Sequence, residues 1–117
     1  EYAETLHALQ PGGPAADALR DILAECRARR IPVKLVLMPE GTAFRPWYGP
    51  GANDRLAAFL TDLSVEFGCD VVDARGWLPD DAFHDAHHML PHGSEAFSDR
   101  LARDVIVPAV RARKGTP

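Results

Sequence analysis

Two short apolar runs constrain this chain more than any other feature. Residues 33–38, VKLVLM, are interrupted only by Lys34 and stand between Pro32 and Pro39; residues 69–73, CDVVD, follow Gly68. Each is too short for a helix and carries the branched residues that suit a strand. Between them Leu56, Phe59, Leu60, Leu63 and Phe67 recur at three- and four-residue steps, the period of one helical face. A strand, a helix and a second strand form a crossover unit, so the two strands are expected to lie parallel in one sheet. The run 33–38 reads as a covered strand inside that sheet.

The flanks extend the same pattern. Pro11-Gly12-Gly13-Pro14 is a strong breaker, so residues 1–14 read as an N-terminal extension or linker, with residues 1–10 a separate short element. Ala15, Leu19, Ile22, Leu23 and Cys26 mark an amphipathic helix that stops at Arg30, because Pro32 disfavours helical backbone at Ile31. Asn53 or Asp54 is the expected cap of the middle helix and Gly68 its end. A loop over 74–91 precedes a last helix opening at Gly93 or Ser94, with Ala96, Phe97, Leu101, Val105 and Val110 on its inner face and Pro108 kinking or ending it. The order helix, strand, helix, strand, helix predicts an α/β fold, a parallel sheet with helices on both faces. Two strands fall short of the roughly five of an ordinary sheet. The 117 residues therefore read either as one small domain or as the C-terminal part of a larger one. The exposed strand edge would be completed by a missing N-terminal half or by a second copy in a homodimer.

Composition closes off several classes of partner. Thirteen Lys and Arg against 17 Asp and Glu give a net charge of −4, and the arginines alternate with acids, which argues against nucleic acid. No apolar run approaches the roughly 20 residues that span a bilayer. Cys26 and Cys69 are too few for a disulfide scaffold and lack metal-knuckle spacing, so both read as buried free thiols and the compartment stays open.

Chemistry concentrates in two loops. Residues 40–52, EGTAFRPWYGPGA, form a long Gly, Pro and aromatic segment in which Trp47 and Tyr48 are candidates to line a substrate pocket, or to act as an aromatic lid over the core. Glu40 beside it has a lesser claim. Residues 83–98, FHDAHHMLPHGSEAFS, hold four of the five histidines. Asp85 and His88 stand three apart, a spacing at which a carboxylate can fix the tautomer of an imidazole that accepts a proton near neutral pH. His87 is the runner-up base and is expected at the loop surface. Trp77 is expected to anchor this loop against the sheet, with Asp73 assisting. A metal is not expected, since His84, Asp85, His87, His88 and His92 share no helical register and no second ligand set stands out.

The segment FHDAHHMLPHGSEAFSDRL resembles the last block of the SGNH, or GDSL-like, hydrolases, in which a D-x-x-H loop meets an apolar residue, a turn and a helix. Asp85-Ala86-His87-His88 supplies D-x-x-H, and Met89 the apolar follower. Upstream, residues 33–74 are similar to the family's last two strands and the helix between them. The resemblance covers residues 15–110 and implies a partial flavodoxin-like α/β/α sandwich. It further implies a serine esterase or O-acyltransferase without cofactor, acting on an ester or acylated carbohydrate, with His88 as general base and Asp85 as its orienting partner. The family's G-D-S nucleophile block is absent, and Ser64, Ser94 and Ser98 all fall in helical patterns, so the nucleophile is expected outside these residues. Gly51-Ala52-Asn53-Asp54 mimics the family's asparagine block but stands at a helix start. Two alternatives remain beside the enzyme: a non-catalytic SGNH-like domain that binds carbohydrate or protein, and a metal-binding module built on the histidines.

Overall fold

The prolines and glycines that bracket the two apolar runs also bracket two strands. The computed structural model describes residues 2–115. In chain order they form α1 (Tyr2–His7), α2 (Gly13–Ala28), β1 (Lys34–Leu37), a 3-10 turn (Arg45–Trp47), α3 (Ala52–Phe67), β2 (Asp70–Asp73), a second 3-10 turn (Asp80–Ala82), α4 (Pro91–Leu101), a π-helical turn (Ala102–Ile106) and α5 (Val107–Lys114). The class is therefore mixed α/β, rich in helix with a small parallel sheet. Two compact units divide the chain. The first runs through Met38 and resumes over Phe44–Ala74; the second joins Pro39–Ala43 to the described residues from Arg75 onward.

The first unit is built on β1, α3 and β2. The strands pair in parallel with Lys34 opposite Asp70 and Leu37 opposite Asp73, and the Lys34 ammonium pairs with the Asp70 carboxylate across the register. Leu23 of α2, Leu63 of α3 and Cys69 form the buried centre, with Leu19, Val33, Leu35, Phe59 and Phe67 packed on it. Full burial of a leucine side chain contributes about 1.5–3 kcal/mol, so Leu23 and Leu63 are the main apolar anchors. The expectation of a covered strand is corrected. Residues 35–37 are only half-buried and Val71 is exposed, because each strand has a neighbour on one side only among the described residues. Cys69 is buried, whereas Cys26 is half-buried; both thiols are free.

Backbone chemistry sets the helix ends. At the close of α2, the Ile31 N–H reaches the Cys26 carbonyl at 2.8 Å and the Arg30 N–H reaches that of Arg27 at 3.1 Å. This is a Schellman ending, and it places Arg30 in the left-handed region at φ 57°. At the start of α3 the expected Asn53 or Asp54 cap is replaced by a turn. The Ala52 N–H bonds to the Gly49 carbonyl at 3.0 Å, with Gly51 at φ 73° after Pro50, a type II geometry that favours Pro-Gly. Gly68 ends α3 as expected, its N–H meeting Ser64 O at 2.9 Å. Of the stretch read as an extension or linker, the described residues 2–14 are tied down: α1 packs against the first 3-10 turn, and Arg55 Nε donates to the Leu9 carbonyl at 2.7 Å.

In the second unit α4 opens at Pro91, two residues before the expected Gly93, because proline is well suited to a first helical position. Gly93 is needed for another reason: a Cβ there would lie 2.4 Å from the Ala82 carbonyl oxygen. Phe97 is buried and Leu101 half-buried, but Ala96 and Val110 of the expected inner face are exposed. Pro108 does not end the helix. The Val107 N–H bonds to Ala102 O, one residue further back than in an α-helix, so the π turn absorbs the donor that Pro108 lacks and α5 continues.

Candidate functional site

The D-x-x-H residues lie in the second unit on a loop closed at its neck. Phe83 and Met89 make an antiparallel bridge, the Leu90 N–H donates to Ala82 O at 2.8 Å, and the His84 N–H donates to His88 O at 2.8 Å. Within this closure Asp85 behaves as aspartates in turns do, taking backbone N–H groups with its side chain. Its Oδ1 accepts from His87 N at 2.9 Å and from His88 N at 2.7 Å. Its Oδ2 stands 2.7 Å from His88 Nδ1. The backbone bond from His87, then the side-chain and backbone bonds from His88, hold the Asp85 carboxyl far below the usual carboxylate range. An ionised carboxylate can only accept, so His88 Nδ1 carries a proton and Nε2 is the nitrogen left to exchange one.

The expectation that His87 lies at the loop surface is corrected. His88 is the open one, its side chain 64% exposed, while His87 is 23% exposed and not a surface neighbour. Their rings lie 4.0 Å apart between centroids, and His87 Nδ1 is 3.7 Å from Asp85 Oδ1. The turn that points His88 outward to meet Asp85 sends its predecessor inward.

A strap from the preceding loop pins the site. The Gly41 N–H donates to Ala86 O at 2.8 Å, the Thr42 N–H donates to Asp80 Oδ1 at 2.8 Å, and the Thr42 hydroxyl donates to Asp80 Oδ2. A Cβ at Gly41 would come within 3.1 Å of Ala86 O, so glycine permits the approach. Glu40, beside it, is buried at 6% exposure and is not presented at a surface. Sequence reasoning missed Asp80 and Thr42; the available signal was a small residue at 41 beside a hydroxyl at 42. Trp77 anchors its own unit on α4: its ring is 6.0 Å from that of Phe97, and the Arg100 guanidinium lies 4.3 Å over it.

No family model, curated protein or solved structure matches this chain. Trp47 and Tyr48 belong to the first unit, where both rings pack on Phe44, at 5.0 and 5.8 Å, and are half-buried. Trp47 also lines a cleft of about 400 Å³ with Ala3, Glu4, His7 and Pro46. Asp73 ends β2 exposed. His92 Nε2 contacts Asp81 O at 3.1 Å, away from the Asp85 cluster. Ser64 lies in α3 of the first unit and donates its hydroxyl to Cys69 O at 2.6 Å; Ser94 and Ser98 are exposed on α4. No described helix is long and apolar enough to cross a membrane.

Proposed function

We propose that this chain is the base-bearing part of an SGNH-like serine esterase or O-acyltransferase, with the nucleophilic serine and the oxyanion donors supplied from outside the 117 residues. The observation that carries this reading is the 2.7 Å contact between His88 Nδ1 and Asp85 Oδ2, on a loop whose backbone fixes the carboxylate. In the reaction the serine Oγ–H gives its proton to His88 Nε2 as Oγ attacks the acyl carbonyl. Asp85 stabilises the imidazolium so formed, and the same proton then passes to the departing alkoxide. Water or an acceptor alcohol, deprotonated by His88 in turn, releases the acyl group. The parallel β1–α3–β2 unit supports a flavodoxin-like sandwich completed by further strands, from an N-terminal half or a second copy. Trp47 and Tyr48 are the aromatic residues offered to an acyl or sugar group, a role supported by the cleft at Trp47.

The test compares two proteins on p-nitrophenyl acetate. The 117-residue chain should show no turnover above free imidazole. The product of the full reading frame should turn over, losing about 10⁴-fold or more in kcat with His88→Ala and roughly 10²- to 10⁴-fold with Asp85→Asn. Unchanged turnover in the His88→Ala protein contradicts the reading.

A further inference from the structure

Three donors that share no helical register are brought together by a turn. Asp85, His87 and His88 each present one ligand atom, and the three atoms lie within 4.8 Å of one another. We propose that these side chains form a binding site for a divalent transition-metal ion such as Zn²⁺.

Ligand spacing is the first argument. An ion with bonds near 2.0–2.1 Å in tetrahedral geometry separates its ligand atoms by about 3.3 Å. The carboxylate of Asp85 reaches both imidazoles at comparable distances, 2.7 Å from Oδ2 to His88 Nδ1 and 3.7 Å from Oδ1 to His87 Nδ1, and one ligand atom from each of the three residues lies within 4.8 Å of the other two. Entry of the ion requires the Asp85 and His88 side chains to turn apart from their 2.7 Å contact. Ligand chemistry is the second argument. Two imidazoles with one carboxylate suit zinc, cobalt or nickel, whereas magnesium and calcium take oxygen ligands. Three protein ligands leave a fourth position for water.

Preorganisation is the third. Metal-bound carboxylates are ordinarily held by further hydrogen bonds, and Asp85 already accepts two from the loop backbone. The His84 N–H to His88 O bond closes the turn, so the three ligands are ordered before any ion arrives. The exposed His88 ring gives an entry path.

The ion and the proton between Asp85 and His88 compete for the same groups. Occupancy therefore removes His88 from proton transfer, which makes the site an inhibitory one. That consequence rests on the acid–base reading above; the binding itself does not.

Calorimetric titration of the chelator-treated chain with ZnCl₂ tests it. Saturation at one ion per chain is expected, weakened by about 10- to 100-fold or more in His87→Ala. That variant leaves the Asp85–His88 contact in place, so it separates the metal site from the dyad. His92→Ala should bind as the unchanged protein does. Amide NMR of the unchanged chain provides a second readout: zinc should move signals over 84–89. Absence of saturable binding, wild-type affinity in a folded His87→Ala, or signal changes centred elsewhere would overturn the proposal. Each outcome is independent of esterase activity, so loss of the enzymatic reading would leave the binding result standing.

Discussion

Asp85 meets three donors with one carboxylate: two backbone N–H groups at Oδ1 and the His88 ring at Oδ2. Because these bonds favour the ionised form, its folded pKa is lowered below the ordinary carboxylate value of about 3.9. A lowered folded pKa contributes stability fully above that ordinary value, and the contribution is lost as pH falls toward the folded one. The loop should therefore keep its amide pattern through pH 4, where most side-chain carboxyls are half protonated. Carboxyl-carbon NMR checks this: Asp85 should titrate well below the ordinary carboxylate range as acid is added, and a midpoint near 4 would contradict the geometry. The pairing of residues 85 and 88 was legible from spacing alone. The environment of His87 was not, since a loop pattern does not say which of two neighbouring rings turns inward.

At the scale of elements, punctuation was the most readable signal. Pro32, Pro39 and Gly68 bound the strands and α3 within a residue or two of the expected limits. What the pattern hid was backbone geometry. Asn53 and Asp54 are good cap residues by type, yet the Pro50-Gly51 turn begins the helix without them. Pro108 should break a helix, yet a π turn absorbs it. Arg30 carries an element-scale prediction. It occupies the left-handed position of the α2 ending at φ 57°, where a side chain costs about 1–2 kcal/mol and glycine nothing. Glycine raises the entropy of the unfolded chain, which offsets part of that gain. Arg30→Gly should thus raise stability by about 0.5–1 kcal/mol, read as a higher urea midpoint with unchanged slope. A lower midpoint would show that the Arg30 side chain contributes more than its backbone strain removes.

For the molecule as a whole, the order of elements and the parallel pairing of the two strands follow from periodicity, because a helix between two short apolar runs admits few alternatives. The division into two units does not. It arises because residues 39–43, which look like the start of a loop, leave β1 to join the histidine segment through Gly41 and Thr42. Contacts between residues some 38 to 45 positions apart leave no periodic trace. The strap and the turn converge on one central claim, that Asp85 aims the His88 ring so that Nε2 can accept a proton. Long-range ¹H–¹⁵N NMR of the His88 ring, on metal-free protein above the pH at which its imidazole loses its charge, tests that claim most directly. The account predicts a proton on Nδ1 and a bare Nε2; a bare Nδ1 with the proton on Nε2 would contradict it.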